Sequence, residues 1–227
     1  LKSELTKPDG TALYPERLVE EITVDYPPHE RDVHSVLREY TTARRSRLAK
    51  QQFQGAGQAA DLVTLLLKKR LFSSPAAFTR TMTLHLNSVT RTSEAADIDT
   101  EWVGDRQAEL VYGEWSNDDA LNEAEDAAAD AATTAAGKPG PAERELLDKL
   151  KAWVGEHGLD SDAKAKALLT YLDQVCKTDG QWNDERVVIF TEYRDTQRWL
   201  ADLLATYDLA AAGRLELLHG GMDEDER

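Results

Sequence analysis

The sequence is poor in cysteine and lacks a long hydrophobic run, and each shortage excludes a class of protein. Cys176 is the only cysteine, so an internal disulfide is excluded. We interpret it as an inert thiol buried in a helix, in a reducing and cytoplasmic setting. The apolar runs fall far short of the roughly 20 residues that cross a bilayer, and no charged-then-apolar leader opens the sequence. We therefore expect a soluble, cytoplasmic protein with no membrane partner.

The motifs of several enzyme classes are also missing. No G-x-x-x-x-G-K-[ST] string occurs, so the chain has no phosphate-cradling loop of its own, and Gly55-Ala56-Gly57 follows a predicted helix as a turn. The histidines form no pair at metal-ligand spacing, and no G-x-S-x-G serine elbow is present. Acidic residues abound, but nothing singles out two of them as a glycosidase pair. We expect no catalytic residue, metal site or cofactor site in this chain alone.

The formal charge of −15 at pH 7 would ordinarily argue against a nucleic-acid partner. The charge is unevenly distributed, however, which weakens that argument. Acidic residues crowd one alanine-rich stretch: Asp118, Asp119, Glu123, Glu125, Asp126 and Asp130. Basic residues form two earlier groups: Arg38, Arg44, Arg45, Arg47 and Lys50, then Lys68, Lys69 and Arg70. Each group could follow a nucleic-acid backbone or be the solvated face of a helix, and the second also complements a helix dipole.

Apolar spacing predicts a mostly helical chain. Val33, Leu37 and Tyr40 recur at helical spacing, a second helix is apolar nearly all round, and Ser74 with Pro75 starts a third. Residues 116–140 have few large apolar groups, and we interpret them as a solvated linker that is helical at most transiently. Pro141 opens a further helix that ends at His157-Gly158, and Ser161 or Asp162 caps the next.

Three extended segments are predicted as strands. One covers residues 22–26, and two flank the last helix at 187–190 and 215–218. The helix between the last two, from about Asp195, can be the crossover of a right-handed βαβ unit, so both strands would end at the same sheet edge. The fold class expected is α/β, mostly helical, with a helical protrusion and an incomplete parallel βαβ unit.

The strand ends are the candidate binding site, because open α/β folds place their ligands at that edge. Thr191, with Asp195 and Thr196 at the start of the helix, could bind a phosphate oxygen or could satisfy free helix N–H groups. Gly220-Gly221 could form an anion nest or a plain turn. Arg194 and Arg227 are possible phosphate partners or solvated side chains.

These segments resemble one known family. VVIFTEYRDT, followed by LHGGM and Arg227, resembles motif IV and the succeeding strand of the second RecA-like lobe in SWI/SNF-type superfamily 2 helicases. LKSEL, YPERLVEEITVDYPPHE and KKRLFSSPAAF resemble the segment joining the two lobes in a bacterial branch that includes helicases of DISARM-type phage-defence systems. The matches are scattered over most of the chain apart from residues 92–140.

The resemblance implies an ATP-driven translocase on double-stranded DNA, with ATP and Mg²⁺ between two P-loop NTPase-type lobes. Thr191 and its loop match motif IV, which in that family lies near the DNA backbone. His219, Gly220 and Gly221 match the family's next loop on the same DNA-facing side. With the basic side chains, the expected nucleic-acid-binding residues are Thr191, Arg194, His219, Gly220, Gly221, Arg44, Arg45, Lys68 and Lys69.

We expect a piece of a longer protein, because the Walker A lysine, the acidic motif and the arginine fingers of that family have no counterpart here. The expected divisions are a connector with one strand at 1–28, the helical protrusion at 29–115, the acidic linker at 116–140, helices leading into lobe two at 141–185, and the start of that lobe at 186–227. Its partners would be duplex DNA and the remaining lobes of the same polypeptide. The alternative is a helical module that binds another protein on a RecA-like scaffold.

Overall fold

The computed structural model describes residues 7–9, 11, 13, 17–51, 56–92, 105–106, 108–110, 113, 115, 117–220 and 222. The first three helices are α1 (Pro28–Gln51), α2 (Ala56–Ser73) and α3 (Pro75–Arg91), as the apolar spacing predicts. Ser74 caps α3, because its side chain accepts a hydrogen bond from the Ala77 N–H and Pro75 follows it. The predicted capping of α3 is therefore confirmed.

A fourth helix, α4 (Asp118–Ala135), occupies most of the stretch that was expected to be a solvated linker. Asn117 caps it by accepting a hydrogen bond from the Ala120 N–H, and two aspartates in the first turn complement the helix dipole. Ala128, Ala129 and Ala132 are buried in the main hydrophobic core. The linker interpretation is therefore wrong, because small side chains let this helix pack closely where large ones would keep it away.

Two further helices follow, α5 (Pro141–His157) and α6 (Ala163–Cys176). Pro141 is the first residue of α5, and Glu143 reaches back to the Gly140 N–H. Asp162 caps α6 by accepting a hydrogen bond from the Ala165 N–H. Of the two residues predicted as the cap, Asp162 is thus the one that takes this role.

A short antiparallel hairpin joins β1 (Lys177–Thr178) to β2 (Gln181–Trp182). Its two-residue turn consists of Asp179 and Gly180, whose φ angles are 51° and 75°. Two successive positive φ angles at an Asp-Gly pair are the pattern of a type I′ turn, which suits the twist of a two-stranded ribbon. The sequence reasoning missed this hairpin.

The last helix is α7 (Arg194–Thr206), followed by a short 3₁₀ turn at Ala211–Gly213. The two segments that flank it, 187–190 and 215–218, are not paired as strands, and neither is 22–26; among the described residues the hairpin is the only sheet. A parallel βαβ unit is therefore not shown. An isolated pair of strands is marginal, and two of these side chains face solvent, with Val188 75% and Phe190 91% exposed.

Beside a three-residue cluster of Leu48, Ala60 and Ala136 among the first four helices, the described residues form two hydrophobic clusters of different size. The larger belongs to α1–α5, which we call the helical bundle, and includes Leu37, Tyr40, Leu66, Phe78 and Leu150. The smaller belongs to the C-terminal unit, which we define as residues 163–219, and contains Leu172, Cys176 and Leu204, with Val187 and Leu215 packed against it. Within the described part of the chain, no helix is long and apolar enough to span a bilayer.

Candidate nucleic-acid interface

A groove of about 750 Å³ lies where the helical bundle meets the C-terminal unit. Three of the residues expected to bind nucleic acid line it, namely Lys68 and Lys69 from α2 and Thr191 from the segment before α7. The walls are largely apolar and include Phe72, Phe190 and Trp199; Lys164 adds a further cation. The structure thus brings together basic and hydroxyl groups that lie more than a hundred residues apart in the sequence.

The two lysines of α2 differ in how they are engaged. Lys68 is exposed. Lys69 is half-buried, and its Nζ lies 2.6 Å from Glu192 Oε1 and 3.6 Å from Glu125 Oε1. Burial opposes its charge, but the hydrogen bond to Glu192 and the nearby carboxylate of Glu125 outweigh burial and raise the pKa of Lys69. Lys69 is therefore a fixed cation, whereas Lys68 can approach a ligand.

Arg70, the third basic residue of this run, is a buried structural residue and was not expected to be one. Its side chain is 1% exposed, with Nη2 2.8 Å from Glu125 and Nη1 3.4 Å from Asp195. Its guanidinium also lies over the Tyr193 ring. The spacing holds a signal for this burial: Arg70 follows Leu66 and Leu67 by four and three residues and so shares their buried face.

Asp195 and Thr196 do not cap α7 as expected. Tyr193 is the N-cap and makes no side-chain capping bond. The Asp195 carboxylate instead accepts hydrogen bonds from Arg80 at 3.0 and 3.1 Å. The Thr196 hydroxyl lies 2.7 Å from that of Ser73 and 2.8 Å from that of Ser74. Both side chains therefore join α7 to the helical bundle and are not free to bind a phosphate.

Arg194, His219 and Gly220, which were also expected to bind nucleic acid, lie near the start of α7 and in the chain that follows residue 218. Arg194 donates a hydrogen bond to Gln197, and Gln197 Nε2 donates to the Leu218 carbonyl at 2.8 Å, which holds the chain before His219 against α7. Gly220 lies beside the N-terminus of α4, where an added Cβ would be 3.7 Å from Asn117 Cα. Arg194, His219 and Gly220 therefore share one region. Gly221 and Arg227 lie outside the described residues.

The two arginines expected on α1 have different environments. Arg44 is 3% exposed and donates hydrogen bonds to the Tyr40 hydroxyl and the Ala132 carbonyl, both at 3.3 Å. It lies inside the bundle, so the structure gives no support to its expected contact with nucleic acid, which stays a prediction; the sequence signal for its burial is its position four residues after Tyr40 on the buried face. Arg45 is exposed and lies 3.6 Å from Asp61.

Metal chemistry has no support from the described residues, which contain no group of three or more His, Cys, Asp or Glu side chains arranged to hold an ion. Comparisons of the chain with family models, with curated proteins and with solved structures found no match.

Proposed function

We propose that the chain is part of an ATP-dependent DNA translocase of SWI/SNF type, in which it contributes contacts to the DNA backbone and the framework of the second lobe. ATP and Mg²⁺ would be held elsewhere in the cytoplasmic protein. One observation carries the proposal: the two segments with the most specific resemblance, KKRLFSSPAAF and VVIFTEYRDT, lie against each other. Arg70 and Asp195 are 125 residues apart in sequence and 3.4 Å apart in space.

This contact supports the proposal because two motifs with a common role are expected to lie close together in space. Lys69 contacts Glu192, Arg70 contacts Tyr193, and the serines at 73 and 74 contact Thr196. Thr191 begins this contacted segment and lines the same groove as Lys68. A cation and a hydroxyl at one groove are groups that bind phosphate oxygens.

The RecA-like sheet belongs to the proposal as well. Segments 187–190 and 215–218 would be its first two parallel strands, completed by strands elsewhere in the protein. Two facts support this reading: Val187 and Leu215 pack on one hydrophobic cluster, and Phe190 is 91% exposed where a completed sheet would cover it. Val188 and Leu218 in the same two segments are 75% and 66% exposed, and several exposed apolar side chains on one part of a protein are the kind of surface that a partner element buries.

The test is binding of a fluorescein-labelled 20-base-pair duplex, followed by anisotropy at several salt concentrations. Log affinity should fall linearly with log salt, because phosphate contacts release counterions. Lys68→Ala should weaken binding to all sequences alike and reduce the salt slope by about 1. Lys151→Ala, which removes an exposed lysine of α5, is the matched control and should leave the slope unchanged. Binding that does not depend on salt, or equal effects of the two substitutions, would contradict a DNA contact at the groove.

The second candidate, a protein-docking module, is favoured by a different observation. Several arginines are neutralised inside the protein, Arg47 by Glu143 at 2.5 Å and Arg70 by Glu125 at 2.8 Å, so fewer cations face solvent than the sequence suggests. Phe72, 60% exposed, and Phe190 present apolar surface at the groove. If Lys68→Ala and Thr191→Ala both leave DNA affinity unchanged, this second candidate is preferred.

A further inference from the structure

The contacts that join the helical bundle to the C-terminal unit are mostly polar, although the buried rings of Tyr193 and Trp199 also lie at this boundary. No buried apolar residue is shared between the two hydrophobic clusters. The described contacts across the boundary are mostly ion pairs and hydrogen bonds, which end on Asp195, Thr196, Glu192, Arg198, Lys164 and Ala163. The Tyr193 ring also contacts the bundle, because it lies under the guanidinium of Arg70. We call this set of contacts the polar seam.

Asp195 is the centre of the polar seam. Its carboxylate lies 3.0 Å from Arg80 and 3.4 Å from Arg70, and both arginines belong to the bundle. Arg80 is 38% exposed and Arg70 is 1% exposed, so the pairs run from solvent into the interior. Arg80 also contacts Asp126 at 2.9 Å and Arg70 contacts Glu125 at 2.8 Å. Each arginine therefore keeps a carboxylate partner within the bundle if Asp195 moves away.

Buried polar atoms beside the seam that have no hydrogen-bond partner within the described structure include Arg70 Nε, Asp126 Oδ1 and the Tyr193 hydroxyl. Such atoms cost free energy in a dry, closed interface, and that cost falls when solvent reaches them. Interfaces held by polar contacts and little apolar burial are the ones at which parts of a chain move relative to each other. The polar seam has both unsatisfied buried polar atoms and contacts that are mostly polar.

We propose that the polar seam is an openable joint, and that α7 with residues 190–196 separates reversibly from the helical bundle while both hydrophobic clusters stay intact. The joint regulates the groove, because Lys68 and Phe72 lie on the bundle side and Phe190, Thr191 and Trp199 lie on the other. A ligand that contacts Lys68 and Thr191 together binds the closed form and shifts the population toward it. The joint itself follows from the contacts and does not rest on the proposed function.

The test is amide hydrogen exchange, read separately for peptides of α7 and of α1, without any ligand. The seam is locked with Ser73→Cys and Thr196→Cys in a Cys176→Ala background, since the two native hydroxyls are 2.7 Å apart. If α7 opens locally, oxidation should raise its protection by about tenfold or more, the equivalent of about 1.4 kcal/mol, while α1 is unchanged. The single variant Ser73→Cys, which cannot form this disulfide, should show no change on oxidation.

Asp195→Asn tests the same joint without cross-linking. The substitution keeps the size of the side chain and removes its charge. It should lower the protection of α7 amides against hydrogen exchange by about tenfold, while the protection of α1 amides stays unchanged. Equal loss in α7 and α1, or a disulfide that protects both helices equally or neither, would show that the two parts open as one unit and would overturn the proposal. DNA binding enters neither measurement, so this inference and the proposed function can fail separately.

Discussion

The guanidinium carbon of Arg70 lies 3.9 Å from the centroid of the Tyr193 ring, so a helix of the bundle and the residue before α7 are in direct contact. Tyr193 is 1% exposed, and burial raises the pKa of its hydroxyl to about 12, with a further contribution from the carboxylate of Glu125. The tyrosine is therefore neutral at physiological pH. It serves as the flat surface on which the arginine is held between Glu125 and Asp195.

Replacing Arg70 should destabilise the protein strongly. Arg70→Met removes a cation that is 1% exposed and leaves Glu125 as a buried charge with weaker compensation, a change that costs about 3–5 kcal/mol. The matched control is Arg45→Met on α1, whose side chain is 69% exposed; exposed pairs contribute less than about 1 kcal/mol. Urea unfolding measures both values. Similar losses of stability in the two variants would show that Arg70 is not the buried residue of the group Lys68, Lys69 and Arg70.

Much of the helical part of the fold follows from the sequence. The starts of α3, α5 and α6 are predicted from Ser74, from Pro141 and from the pair Ser161 and Asp162, because caps and prolines act locally and leave a signature within a few residues. Helix α4 was missed since it has few large apolar residues, although Asn117 and the aspartates after it are an N-terminal signal. Alanine spacing indicates a buried face only when the neighbouring helices are known.

The candidate site was predictable only in part. Lys68 and Thr191 do line one groove, but which cations are neutralised inside the protein depends on residues distant in sequence, such as Glu125 for Arg70 and Ala132 for Arg44. The predicted strands at 187–190 and 215–218 have the composition of buried strands and yet lie unpaired. Strand composition reflects packing against neighbouring strands, and the described residues supply none there.

The second prediction tests whether α4 belongs to the core. Ala132 is fully buried, so Ala132→Asp places a carboxylate among apolar side chains and should cost about 3 kcal/mol or more. Ala127→Asp makes the same change on the exposed face of the same helix. It should cost less than about 1 kcal/mol, mainly through repulsion by neighbouring acidic residues. Thermal or urea unfolding compares the two, and equal small effects would restore the linker interpretation.

The third prediction concerns the pH dependence of stability. His85 is fully buried, with Nε2 2.7 Å from the Tyr40 hydroxyl and Nδ1 2.9 Å from the Thr133 hydroxyl. Burial lowers the pKa of His85 well below its ordinary value, and the charge of Arg44 lowers it further. Below about pH 6.5 the unfolded chain binds a proton that the folded chain does not, so stability present above that pH is lost as pH falls.

The loss attributable to His85 should approach about 1.4 kcal/mol per pH unit between about pH 6.5 and its lowered pKa. Urea unfolding at pH 7.5, 6.5 and 5.5 measures it, and His85→Gln should flatten the dependence. Taking the difference between wild type and variant removes the contributions of carboxyl groups such as Glu30 and Asp162, whose pKa values are raised by burial.

The fourth prediction concerns nucleotide chemistry. The isolated chain should hydrolyse no ATP, with or without duplex DNA, because its sequence has no loop that cradles phosphates. Release of inorganic phosphate in the presence of Mg²⁺ is the measurement. Clear turnover that is abolished by substituting a residue of this chain would contradict the proposal that ATP is bound outside this chain.

The fifth prediction concerns the shared hydroxyl contact at the start of α3. Ser74→Ala removes the cap of α3 and one partner of Thr196, and it should cost about 1–2 kcal/mol. Thr196→Val keeps the shape of the side chain and removes the hydroxyl.

If the two hydroxyls stabilise each other, the double variant should lose less than the sum of the single losses, by about 0.5 kcal/mol or more. Ser73→Ala combined with Thr196→Val forms a parallel cycle on the second serine, whose hydroxyl is 2.7 Å away. Additive losses in both cycles would mean that Thr196 contributes only to α7 itself, and that the hydroxyl contacts do not hold the C-terminal unit to the bundle.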